Sequence, residues 1–231
     1  MPSQVPRPLI PTARASLSIT AVLALFGMLL GLVGTPSPSL PAFSIALPSF
    51  DSPSAAPPAD NESLRSALPK LDDVLPLSRD LVAPVGAPEA LTNARAAAAW
   101  PDASGARGRL DGWGRVGGYQ TAFVRPLAST VESPVLQVWS DVSVFRSVDG
   151  ARDALRDTQE RLTKAGAAPL TLGVLGDASV ALSHSTGSLT TYHVLIRRSV
   201  TTAWLTITGL SDGVKLESVE RLAKTVAERL G

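Results

Sequence analysis

The sequence predicts an α+β domain: a mainly antiparallel sheet of about five strands with two amphipathic helices packed on it, preceded by an N-terminal hydrophobic helix. Three observations carry this. The C-terminal half contains segments of alternating apolar and polar residues separated by short turn sequences, which is the period of half-buried strands. Two longer segments there carry apolar residues at helical spacing. The N-terminus instead holds a long uncharged run followed by a tract crowded with proline and serine.

That run, Leu17 to Val33, is seventeen residues without a charge, with Arg7 and Arg14 before it. At about 1.5 Å per residue a helix of this length reaches about 26 Å, close to a ~30 Å hydrocarbon core, so residues 1–34 read as a signal anchor or a signal peptide. No clean pair of small residues for signal cleavage stands near Gly34 to Ser39. Both readings put the C-terminal body outside a bacterial cell membrane, because the basic flank stays in the cytoplasm. The chain is either single-pass, held through residues 17–33, or secreted after cleavage. Position 35 is Thr, where a lipoprotein carries its lipid-bearing cysteine, and the chain has no cysteine at all. Diacylglycerol attachment, disulfides, thiol catalysis and cysteine-ligated metal are thereby excluded.

Residues 35–59 hold seven prolines and six serines. Such a tract lacks donors for a regular ladder and reads as an extended spacer. The domain follows, over 60–231. Asp60 or Asn61 can cap a short helix through Leu68, stopped by Pro69. Pro88 is placed to open an alanine-rich helix, "PEALTNARAAAAW", that closes before Pro101. "ASGARGRLD" reads as a turn, and "YQTAFVR" after it as a strand. "VLQVWSDVSVF" (135–145) alternates as a strand, and 147–166 sets Val148, Ala151, Leu155 and Leu162 on one helical stripe ended by Gly166. Three strands follow in "ASVALSHS", "LTTYHVLIRR" and "TTAWLTITGL". A terminal helix then presents Leu216, Val219, Leu222, Ala223, Val226 and Leu230 on one face. Strands joined by short turns pair antiparallel, and both helices are expected to bury their stripes on the apolar face of the sheet.

The one stretch that looks like a cofactor motif is "DGWGRVGGYQTAF", with Gly112, Gly114 and Gly117 spaced G-x-G-x-x-G. A dinucleotide site needs a strand before these glycines and a helix opening at the third, so that phosphate meets free N–H groups. A strand follows instead, so the glycines read as a bend or bulge, and no cofactor is expected. His184 and His193 are the only histidines and have no carboxylate at ligand spacing, so no metal is expected. Asp177, Ser179 and His184 lie too close along one segment to converge on one reacting atom, and no G-x-S-x-G elbow is present. No catalytic residue is therefore assigned. Leu175-Gly176-Asp177 reads as a turn, and Arg197 and Arg198 as a strand end. The formal charge is +1; with Arg7 and Arg14 set aside the remainder is near −1 and scattered, which argues against a nucleic-acid partner. What remains is aromatic: Trp113, Tyr119, Trp139, Tyr192 and Trp204 are the candidate lining of an apolar ligand groove, with core packing as the alternative.

The run "LDDVLPLSRDL" (71–81), Asn93 ahead of alanines, "WGRVGGYQTAF" (113–123), Gly150-Ala151 opening a helix and Leu175-Gly176-Asp177 together resemble a group of uncharacterised bacterial extracytoplasmic domains, many of them lipoproteins. Their element order is similar to PsbP-like α/β sandwiches. The resemblance implies a noncatalytic binding or assembly module, whose partner is an envelope protein or a small apolar ligand. The alternative is a cell-envelope hydrolase.

Overall fold

The computed structural model describes residues 62–83, 88–126, 129 and 133–230. The hydrophobic run at 17–33 and the Pro/Ser tract lie outside them. Among the described residues no helix is long and apolar enough to cross a membrane.

The described residues begin with two short helices, α1 (Glu62–Ala67) and α2 (Leu71–Val74), then a short strand β1 (Glu89–Leu91) and helices α3 (Asn93–Ala98) and α4 (Ala103–Gly112). Strands β2 (Arg115–Val124) and β3 (Val135–Phe145) lead to helix α5 (Val148–Lys164). Strands β4 (Ala168–Leu170), β5 (Ala178–Thr186), β6 (Leu189–Arg198) and β7 (Thr201–Leu210) precede the terminal helix α6 (Leu216–Arg229). All strands join one antiparallel sheet in the order β1-β2-β3-β7-β6-β5-β4.

The sheet thus has seven strands rather than about five. The two additions are three-residue strands at the edges, too short to show an alternating pattern. β1 also replaces the first turn of the alanine-rich helix expected from Pro88. Thr92, not Pro88, starts that helix, its hydroxyl accepting the Arg95 N–H. The stretch read as a turn, "ASGARGRLD", is helix α4. Asp102 caps it by accepting the Gly105 N–H at 3.0 Å, and Ala106 and Leu110 are its buried stripe.

The two long helices do not share a face of the sheet. Alternation along each strand decides which residues meet which helix. Val138 and Val142 of β3, Ala203, Leu205 and Ile207 of β7, and Val194 and Ile196 of β6 point to one face, with Tyr119 and Phe123 of β2. They form the main core with Val219, Leu222, Ala223 and Val226 of α6 and with Leu64 and Ala67 of α1. On the opposite face Leu162 of α5 packs on Leu182 and Leu195, and Ala151 and Ala154 on Phe145. The domain is therefore a three-layer arrangement, with α1, α2 and α6 on the first face and α3, α4 and α5 on the second. The second face is the more polar, and it carries Trp139, Asp141, Ser143, His193, Trp204 and Thr206.

Candidate functional site

Where α4 ends and α5 begins, the sequence controls the geometry closely. The Trp113 N–H bonds the carbonyl of Arg109, and Gly114 turns the chain with φ +71°, a conformation L side chains rarely adopt. β2 then starts with a bulge between Arg115 and Gly117, so Gly112 ends the helix, Gly114 makes the bend and Gly117 sits at the bulge. At the start of α5 the Ser147 hydroxyl accepts the Gly150 N–H at 3.1 Å. A Cβ at Gly150 would lie 2.0 Å from the Trp113 carbonyl oxygen, so this glycine lets the helix start sit directly against the end of α4.

Between α4 and α5 this leaves a cleft of about 450 Å³, lined by Arg109, Trp113, Asp153, Arg156, Asp157 and Glu160. Its size falls in the range of small-ligand pockets, roughly 300–1,000 Å³. Asp153, Asp157 and Glu160 recur on α5 at spacings of four and three residues, which places them along one side of the helix. Arg156 is bonded to Asp153 at 3.1 Å and Arg161 to Asp157 at 2.8 Å. Beside the cleft, Trp100 of the α3–α4 connection is stacked by Arg161, 3.5 Å from the ring centre, and faced by Arg109 at 5.3 Å. Burial lowers the Arg161 pKa, the bond and charge of Asp157 offset part of that, and the neighbouring Arg109 charge adds to the lowering.

A second polar group lies further along the same sheet face. Arg115, 5% exposed, donates from Nε to Ser143 Oγ at 3.0 Å, and from Nη1 to the Leu91 carbonyl at 3.0 Å and Asn93 Oδ1 at 2.8 Å. Ser143 passes the contact on by donating to Asp141 Oδ1 at 2.7 Å. Burial raises the Asp141 carboxyl pKa, against the opposing pull of the Arg115 charge and the Ser143 hydroxyl. This cluster ties β1 and α3 to the sheet.

The candidate aromatics divide between the two faces. Trp113 lines the cleft. Trp139 and Trp204 meet edge to face at 5.2 Å on the second face, with His193 6.0 Å from Trp204. Tyr119 is 3% exposed in the main core on the first face, and Tyr192 packs against that same core with its hydroxyl toward the Val214 carbonyl at 3.5 Å. One groove does not collect all five, because Tyr119 and Tyr192 occupy strand positions of opposite parity to Trp139 and Trp204.

Asp177, Ser179 and His184 serve three local structures. The Asp177 carboxylate accepts the Ser199 N–H at 2.7 Å, Ser179 Oγ accepts the Leu175 N–H at 3.1 Å, and His184 Nε2 meets the Thr186 hydroxyl at 2.9 Å. Arg197 pairs with Asp177 at 3.2 Å, and Arg198 reaches the Ala227 carbonyl at 3.5 Å. Among the described residues no group of three His, Asp or Glu side chains could hold a metal ion. The charged lining of the cleft was not anticipated from the sequence. The acid spacing in "RDALRDTQER" is legible there, but it also describes any solvated helix face.

No family profile matches this chain, and no curated protein does. Its fold matches the extracellular domain of PknH from Mycobacterium tuberculosis, with a TM-score of 0.51 and 11% sequence identity over 75% of this chain and 97% of that one. At this identity the likeness is one of fold. The PsbP-like resemblance drawn from the short motifs finds no support in it.

Proposed function

We propose that the chain is an extracytoplasmic, noncatalytic binding module held at a bacterial cell membrane through residues 17–33, or released after cleavage, and that it binds a small ligand or an envelope protein at the cleft between α4 and α5. The observation that carries the reading is the cleft itself: about 450 Å³ in extent, lined by Trp113 and five charged side chains. The basic flank and uncharged run of the N-terminus support the location, as does a fold shared with a domain described as extracellular. The lining favours a ligand with polar groups over the wholly apolar one that an aromatic groove would suit. Of the candidate aromatics Trp113 is the contact residue in this reading. Trp139 and Trp204 support the sheet face behind it.

Native mass spectrometry of the full chain, released from mild detergent, tests the binding. A bound mass that is lost in Trp113→Ala supports the reading. A bare chain with wild-type behaviour in that variant removes it. Sequencing the N-terminus of membrane-fraction protein separates the two anchoring states, since a start after Gly34 means release.

A further inference from the structure

We propose that the cleft between α4 and α5 takes a zwitterion of the amino-acid class, its carboxylate on Arg109, its ammonium on Glu160 and its apolar part on Trp113. The proposal rests on the binding reading above and adds the chemistry of the ligand.

The argument is one of unspent charge. Six side chains line the cleft and five are charged. Three of those are already satisfied within the helix: Arg156 and Asp153 by one another, and Asp157 by Arg161. The remaining two are Arg109 on the α4 wall and Glu160 on the α5 wall. Arg109 has a loose ion pair, 3.5 Å from Asp102 with both groups well exposed, and faces the Trp100 ring at 5.3 Å, while its buried Nε has no hydrogen-bond partner. The Glu160 side chain has no ion pair or hydrogen bond among the described residues. Both border the same cavity, yet they do not pair with one another, so the cavity separates a carboxylate without an ion pair from a guanidinium held only by an exposed pair to Asp102 and the face of Trp100.

A ligand bearing one charge satisfies one of them and is repelled by the other. The lining as a whole, with three carboxylates against two guanidiniums, sums to −1 and selects strongly for neither sign. A ligand with both charges completes both groups at once. Arginine suits the carboxylate end, because its planar fork can bond both oxygens. Trp113 supplies a flat apolar wall for a side chain between them.

The test uses the full chain with indole-labelled tryptophan and three probes: phenylalanine, phenethylamine, which lacks the carboxylate, and 3-phenylpropionate, which lacks the ammonium. The expected result is that phenylalanine moves the Trp113 indole signal with an affinity at least tenfold above either analogue. Glu160→Gln is expected to bring phenylalanine down to the level of 3-phenylpropionate, and Arg109→Gln down to that of phenethylamine. Glu160 is exposed, so its substitution is expected to leave the fold intact and decides the matter if Arg109→Gln unfolds. Equal affinity for all three probes, or phenylalanine binding indifferent to Glu160→Gln, overturns the proposal. It also fails if no probe moves Trp113. A bound mass that survives Glu160→Gln and Arg109→Gln but not Trp113→Ala removes the zwitterion and leaves the binding module standing. A bare chain without any Trp113 response removes both.

Discussion

Arg229 grips Asp73 with both terminal guanidinium nitrogens, at 2.6 and 2.9 Å, and also donates to the Leu68 carbonyl at 3.3 Å. The clasp fastens α2, near the start of the domain, to the last turn of α6 across 156 residues of sequence. Both partners are largely withdrawn from solvent, with side-chain exposures of 29% and 15%, so water screens the pair less than a surface bridge. Arg229→Ala is expected to cost about 1–2 kcal/mol, as for a charge-assisted hydrogen-bonded pair, measured by denaturant unfolding at neutral pH.

The same pair sets an acid limit. Burial alone would raise the Asp73 carboxyl, but the Arg229 bond, the Lys70 N–H and the two positive charges outweigh it, and the net pKa is lowered. A carboxylate with a depressed folded pKa stabilises fully above its unfolded value of about 4, and loses that contribution as pH falls through the folded value. The stability gap between wild type and Arg229→Ala should therefore close in strong acid. A gap that stays constant from pH 7 to pH 2 contradicts this.

At Asp141 the sign reverses. Its pKa is raised by burial even with Arg115 nearby, so ionising it costs folding free energy as pH rises through the window above the unfolded value. Asp141→Asn keeps an oxygen for the Ser143 hydroxyl and removes the charge. The variant should unfold at the same temperature as wild type or higher at pH 7, with any advantage shrinking as pH falls. Arg115→Ala, by contrast, strands the Leu91 carbonyl, Asn93 and Ser143 in a buried site, and is expected to cost about 3 kcal/mol. Comparing the two melting curves separates a needed cation from a tolerated anion.

The glycines between residues 112 and 118 have unequal value, and substitution should rank them. A Cβ at Gly112 meets nothing within 4 Å, so Gly112→Ala is expected to be neutral or slightly stabilising at the end of α4. Gly114 holds φ +71°, and alanine there should cost about 1 kcal/mol. At Gly118 a Cβ would lie 2.2 Å from the Val142 carbonyl oxygen and 2.9 Å from the Arg115 guanidinium. Gly118→Ala should therefore be the worst, at about 3 kcal/mol, since strand and arginine must both shift. Equal costs at all three positions would falsify the bulge account and return attention to a backbone-lined site.

These glycines also show how far the sequence reaches. The strands from β2 to β7 with more than three residues, α5 and α6 were legible because their apolar periods are long and unbroken. The edge strands were not, since Glu89–Leu91 and Ala168–Leu170 are shorter than one full alternation. Helix α4 was hidden because "ASGARGRLDG" has three glycines and a weak apolar stripe, and only packing of Ala106 and Leu110 beside Trp100 and Trp113 makes it a helix. The placement of α5 and α6 on opposite faces depends on the parity of residues in neighbouring strands. Both faces of β6 are apolar enough, with Ile196 on one and Leu195 on the other, that one-sided and two-sided burial look alike in sequence. Trp113 was recognisable as a candidate, but its charged neighbours come from α4 and α5, which only the fold brings together.

His193 provides a probe of the second face. It is 7% exposed, its Nδ1 lies 3.2 Å from the Thr206 hydroxyl, and Trp204 flanks it. Burial, aided by the charge of His184, lowers its pKa to about 4. A base whose folded pKa lies below its unfolded value of about 6.5 keeps its full contribution above that value and loses it as pH falls toward 4, because the unfolded chain takes the proton first. Its ring resonances should stay in the neutral position down to about pH 5 and titrate near 4, if the face remains closed. A midpoint near 6.5 would mean that water reaches the ring, and that α5 does not seal Trp204 and Thr206 as the packing requires. His193→Gln retains a polar group for Thr206 without a proton to gain, so it should flatten the loss of stability between pH 6.5 and 4 while leaving the acid limit set by Asp73 in place.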